Sequence, residues 1–164
     1  MKNKKIIIVF GIAVAVVAVF LSRDKKGGDF LVIDPADAGL NYETGAMHEE
    51  WGKTTLDIEK GGKSTFRKYE NLELKEEISF DASEDELAQI LNVASQGGFF
   101  SLRDVYKDPS IMDGGFTAIT IFYGDESKTV KVINDYNESF DAVESEIYKL
   151  IGKKTKKDNY DLEN

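Results

Sequence analysis

The chain has 164 residues, room for one ordinary domain with appendages, and its 41% hydrophobic and 11% aromatic content is too high for a disordered chain. It has no cysteine, which excludes a disulfide framework, a thiolate metal site, a Cys nucleophile and a lipid-modified Cys. The net charge of −9 is unevenly placed: residues 1–26 hold six basic residues and one acid, leaving −14 on the remainder. A body this acidic repels nucleic-acid phosphate, so its charge serves solubility, a salty medium, cation association or a basic partner.

Residues 6–21 run from Ile6 to Leu21 without a charge. As a helix they cover roughly 24 Å, a little short of a ~30 Å hydrocarbon core. Lys4, Lys5, Arg23, Lys25 and Lys26 flank the run and can extend their charged ends to the two interfaces. The segment therefore reads as a single-pass membrane helix, with residues 1–26 as anchor and basic flanks. A signal-peptidase site needs small residues at −3 and −1, and the nearest one, ending at Ser22, has Phe20 at −3. An uncleaved anchor follows, with a secreted domain after cleavage as the alternative. Basic residues are nearly balanced across the segment. The charged start before an apolar run is the layout of an export signal, which puts the domain outside.

Residues 27–38 read as a linker, with Gly27-Gly28, Pro35 and a short extended piece at Phe30–Ile33. The folded domain spans 39–152, and 153–164 is a polar tail expected to be disordered. Thr54–Glu59 alternates, Lys60-Gly61-Gly62-Lys63 makes a hairpin turn, and Ser64–Tyr69 returns. Leu72–Phe80 alternates again, with Leu72, Leu74, Ile78 and Phe80 on one face and Glu76 breaking that face. Ser83 and Glu86 have capping-box spacing, and Leu87, Ile90, Leu91 and Ala94 form a helical stripe that Gly97-Gly98 ends.

Phe116–Tyr123 reads as a central strand covered on much of both faces, turned by Gly124–Ser127 into Lys128–Ile133. A last helix from about Ser139 to Ile151 carries Phe140, Val143, Ile147, Leu150 and Ile151 on one stripe. Counting the Phe30–Ile33 piece, the order is four strands, helix, two strands, helix. That order predicts an α+β domain: a mostly antiparallel sheet of about six strands with two helices on one face.

From Ser83 onward the pattern of helix, Gly98-Phe99-Phe100-Ser101-Leu102, Tyr106-Lys107-Asp108-Pro109, Asp113 and Lys128–Val132 resembles an uncharacterised family of exported, often lipid-anchored prokaryotic domains. The likeness covers residues 83–151. It implies an α+β fold and an external location, and it assigns no catalytic residue and no cofactor.

Among polar features, Asp104, Asp108 and Asp113 share a loop whose carboxylates and carbonyls are oxygen ligands of the kind Ca²⁺ takes. Their spacing fits no EF-hand, and Asp before Pro or Gly is ordinary turn chemistry. His48 is the sole histidine, beside Glu49, Glu50 and Trp51. A His–Glu pair can do acid/base work, but no nucleophile motif accompanies it, so His48 reads as polar loop surface or, with Met47 and Trp51, as part of a binding edge. The many Glu residues on alternating strands form a wet face. Asn137-Glu138-Ser139 is a glycosylation sequon in which Ser139 also suits a helix cap.

The leading expectation is a membrane-tethered extracytoplasmic domain that binds a protein or surface component without catalysis, basic partners being favoured. The sheet's wet face is the expected contact surface. The rivals are a metal-dependent or acid/base hydrolase using the Asp104–Asp113 loop, and a Ca²⁺-binding surface module.

Overall fold

The computed structural model describes residues 31–155, Met112 excepted. The apolar run at 6–21 lies outside the described residues. Among those described, no helix is long and apolar enough to cross a membrane.

Seven strands form one mixed sheet: β1 (Ala38–Ala46), β2 (Lys53–Ile58), β3 (Lys63–Glu70), β4 (Glu73–Asp81), β5 (Val105–Lys107), β6 (Gly115–Tyr123) and β7 (Glu126–Ile133). Their spatial order is β4-β3-β2-β1-β6-β7-β5. Every pairing is antiparallel except β5 with β7. Two helices complete the domain, α1 (Glu84–Gln96) and α2 (Glu138–Thr155).

Side chains on one sheet face are buried and those on the other are open, as the period of two requires. Leu40, Tyr42, Leu56, Ile58, Ile119, Ile121 and Val130 share the buried face and pack on both helices. Ser83 caps α1 reciprocally with Glu86, and the stripe Leu87, Ile90, Leu91 and Ala94 is buried. The α2 stripe of Phe140, Val143, Ile147, Leu150 and Ile151 is buried likewise.

The sheet departs from the sequence reading in four places. The central strand, β1, falls where the reading put the linker's end and the domain's unassigned start, because Gly39, Asn41 and Gly45 resemble a connection. Both glycines are needed, since a Cβ on Gly39 would lie 2.7 Å from the Ile58 carbonyl oxygen and one on Gly45 2.8 Å from that of Gly52. The seventh strand, β5, arises inside the Asp104–Asp113 segment by pairing with β7.

Leu72 does not begin a strand. Asn71 and Leu72 form a two-residue turn with φ of 52° and 64°, and a bulge follows where the β3–β4 register shifts between Lys68 and Tyr69. The face expected to hold Leu72 and Leu74 is thereby broken, and both are exposed. Finally, β6 is covered on one side only: Phe122 on the open face is exposed while Ile119 and Ile121 are fully buried. The last helix continues to Thr155, past Ile151 and into the segment read as a tail.

Candidate functional site

The sheet has two unlike ends. At one, here the turn pole, β2–β3 and β6–β7 close in tight glycine turns. There Gly62 accepts a bond from Ala82 N–H at 2.8 Å, and Lys60 Nζ reaches Asp37 at 2.8 Å and the Gly124 carbonyl at 2.7 Å. Glu86 is held beside it by Lys153 at 2.6 Å and Lys154 at 2.9 Å, joining the start of α1 to the end of α2. Burial alone would raise the Glu86 carboxyl, but Lys153, the Ser83 N–H and Lys154 outweigh it and hold the group at about 2.

At the other end, the loop pole, four connections meet. Asn71 N–H donates to the Glu50 carbonyl at 3.2 Å, tying the β3–β4 turn to the β1–β2 connection. Met47 N–H donates to the Gly114 carbonyl at 2.8 Å, tying that connection to the segment before β6. Asn134, itself at φ 51°, accepts at Oδ1 from Gly115 N–H at 2.9 Å and joins the β7–α2 connection to the rest. These bonds order the backbone without covering the side chains. Met47 is 43% exposed, Trp51 64%, Leu72 66%, Ile111 42% and Tyr136 71%. No exposed large apolar side chain stands in the two turns of the opposite pole.

Between the sheet and α2, this pole opens into a cavity of about 290 Å³ lined by Thr44, Thr117, Asn134, Asp135, Asp141 and Glu144 among others. Glu144 Oε1 accepts from the Tyr42 hydroxyl at 3.1 Å and from Thr117 Oγ1 at 3.2 Å, which fixes its direction. Burial pushes the Tyr42 phenol far up, with Tyr148 and Glu144 adding to the shift. Burial likewise raises the Asp141 carboxyl. Among the described residues, no lysine, arginine or histidine lies within ion-pair distance of Asp135, Asp141 or Glu144.

The residues singled out in the sequence scatter around this frame. Asp104 pairs with Lys128 at 2.6 Å, Asp108 turns back to accept from Ser110 N–H at 2.8 Å, and Asp113 faces His48 at 3.7 Å. Strand β5 stands between the first two, and four extended residues separate them by roughly 13 Å. Among the described residues, no three metal-ligating side chains gather. His48 and Trp51 lie against each other, their rings tilted by 49° with centroids 4.8 Å apart. Glu76 lies exposed on the edge strand β4. Asn137, not Ser139, caps α2: its Oδ1 accepts from Phe140 N–H at 3.0 Å.

On the open sheet face, Asn41 meets Asp57, Asp57 accepts from Arg67 at 2.8 Å, and Arg67 reaches Glu77 at 2.7 Å. The wet face is thus a self-satisfied row across four strands. The cavity acids escaped the sequence reading. Glu144 stands four residues from Phe140 on the buried face of α2, and that charge inside an apolar stripe was the available signal.

No curated protein matches the chain. A family match covers residues 52–153, from the start of β2 through most of α2 and without the central strand. On that match, the chain belongs to the family of the domain of unknown function DUF6438.

Proposed function

We propose that the protein is a membrane-tethered extracytoplasmic domain that acts by binding a protein partner through its loop pole. Residues 6–21 anchor it, the flanking lysines and Arg23 fix the anchor at the interfaces, and the domain stands outside the cell membrane. The observation that carries this reading is where exposed apolar side chains stand: Met47, Trp51, Leu72, Ile111 and Tyr136 lie in connections at the pole opposite Asp37 and Lys154. The chain enters beside α1, where Ser95 Oγ donates to the Leu31 carbonyl at 2.5 Å, and meets the sheet at the turn pole through Asp37. It leaves past Lys154, whose Nζ donates to the Asp81 carbonyl at 2.9 Å at that same pole. A tether drawn from that side holds Trp51 and Leu72 away from the bilayer, where a partner reaches them. Isolated apolar side chains on a surface are unremarkable, but five gathered in four joined connections mark an interaction surface.

The test uses the full-length chain in cells, with a photo-crosslinking amino acid at position 51 or 72 and, as control, at position 61 or 125. Adducts are expected from the first pair only, in the carbonate-washed membrane pellet, with the domain digestible by protease added outside. Intact chain in the soluble cytosolic fraction sinks the tether. Equal crosslinking from both poles sinks the contact surface.

A further inference from the structure

Charge separates the kinds of partner the loop pole can take. Three of its lysines are already neutralised by neighbours: Lys53 by Glu43 at 3.4 Å, Lys68 by Glu70 at 3.2 Å and Lys75 by Glu73 at 2.5 Å. Lys131, on the open face of β7, lies over the Phe116 ring at 4.2 Å, and Lys107 stands at the end of β5. Against these two cations the same end of the domain carries Glu50, Asp135, Asp141 and Glu144, none within 4 Å of a cationic side chain among the described residues. An anionic bilayer, a nucleic acid or a second acidic pole of the same chain all meet repulsion here.

We infer that the loop pole docks a basic protein segment, an apolar side chain of which lies on Met47, Trp51 and Leu72 while its lysines or arginines face the carboxylates around the sheet–α2 cavity. The inference rests on the loop pole being the contact surface and adds the chemistry of what covers it. Two features of the fold agree with a surface kept for an occupant. Leu72 holds a left-handed conformation that costs an L side chain roughly 1–2 kcal/mol, and it exposes its isobutyl group there. The Asp141 carboxyl is set where burial disfavours its charge, and among the described residues no cation lies within ion-pair distance of it. Both are retained at a cost to the free domain, and both are relieved or offset by a basic, apolar ligand.

Trp51 is the only tryptophan, so its emission reports occupancy of this pole directly. A random dodecapeptide library is selected on the full-length chain in detergent, and the enriched peptides are titrated against Trp51 emission in low and high salt. Enriched peptides are expected to combine an aromatic or aliphatic residue with lysine or arginine and to weaken several-fold on raising salt. Asp135→Asn with Asp141→Asn is expected to weaken them several-fold while the thermal transition is kept or raised, and Leu72→Ala to weaken them without changing the salt dependence. Enrichment of neutral or acidic peptides, salt-insensitive binding, or a Trp51 response to phosphatidylglycerol vesicles and not to peptides overturns the inference. If crosslinks form at positions 51 and 72 but the selected peptides lack basic residues, the contact surface stands and only its partner chemistry falls.

Discussion

The two ends of this sheet are built from similar parts and stabilised in opposite ways. Each has tight turns with positive φ and backbone hydrogen bonds between connections. At the turn pole the left-handed positions are glycines, Gly61, Gly62 and Gly124, and ion pairs tie the elements together: Lys60 with Asp37, and Lys153 and Lys154 with Glu86. At the loop pole Asn71, Leu72 and Asn134 join Gly52 at positive φ, Met47, Trp51, Leu72, Ile111 and Tyr136 are exposed, and among the described residues Asp135, Asp141 and Glu144 have no cation within ion-pair distance. Non-glycine residues at positive φ and exposed apolar side chains in joined connections set the loop pole apart, and the proposed contact surface rests on that difference.

The comparison breaks most sharply at Gly62. A Cβ there would lie 2.2 Å from the Ala82 carbonyl oxygen at φ 87°, whereas Gly61, at φ 84°, has nothing within 4 Å. Gly62→Ala is therefore expected to cost at least about 2 kcal/mol, because clash and conformation add, and Gly61→Ala about 1 kcal/mol from conformation alone. Denaturant midpoints of the two variants measure the difference. Equal losses mean that the Gly62–Ala82 contact does not constrain this pole.

Next in size is Glu86, which caps α1 and holds two lysines of α2. Glu86→Gln is expected to cost about 1–2 kcal/mol. Its carboxyl is lowered from 4.5 to about 2, so the stabilisation is complete above pH 4.5 and disappears as pH falls toward 2. The gap between wild type and Glu86→Gln should accordingly narrow across that window and stay constant above it. A gap unchanged at pH 2.5 contradicts the ion pairs.

How far these features can be read from sequence depends on the range of the interaction that makes them. Both helices announce themselves, since the Ser83–Glu86 box and the stripes at i, i+3 and i+4 are local and periodic. The β2–β3 hairpin does too, through Gly61-Gly62. Strand β1 hides because its glycines answer to the Ile58 and Gly52 carbonyls on β2 and in the connection before it, contacts no local pattern encodes. Strand β5 hides for the same reason, its three residues becoming a strand only by parallel pairing with β7. Of the site, the Met47–Trp51 edge is legible as an unusual cluster in a polar stretch. Leu72 misleads, because the alternating pattern of β4 extends back into a turn that lacks glycine. Glu144 is marked by its place in the apolar stripe of α2, whereas Asp141, beside that stripe, looks solvated until the sheet packs on the helix.

At the loop pole the expected signs reverse. Leu72→Gly removes a side chain from a left-handed position and leaves an Asn-Gly turn, the pair that a tight hairpin favours. It is expected to stabilise the domain by about 0.5–1 kcal/mol, the relief of strain being partly offset by the greater freedom of glycine in the unfolded chain. The same variant is expected to lose peptide capture. A Leu72→Gly variant that is less stable than wild type shows that the leucine packs usefully in the free domain, and the account of it as a docking group then loses its support.

The smallest effect is the most diagnostic, because it separates a residue kept for folding from one kept for a ligand. Asp141 is raised from 3.8 by burial, so above its folded pKa it weakens the fold by a constant amount, and that penalty vanishes as pH falls through the folded value to below 3.8. Asp141→Asn should therefore melt slightly higher than wild type at neutral pH and at the same temperature below pH 3.8. Trp51→Ala, which removes an exposed ring, should stay within about 0.5 kcal/mol of wild type at every pH. With a bound basic peptide the order inverts: wild type gains stability from the ligand by mass action, and both variants gain less. Thermal melts of the three proteins at two pH values, with and without peptide, yield one pattern if the loop pole is a binding surface. If Asp141→Asn instead lowers the transition in the free protein, the carboxylate is serving the fold.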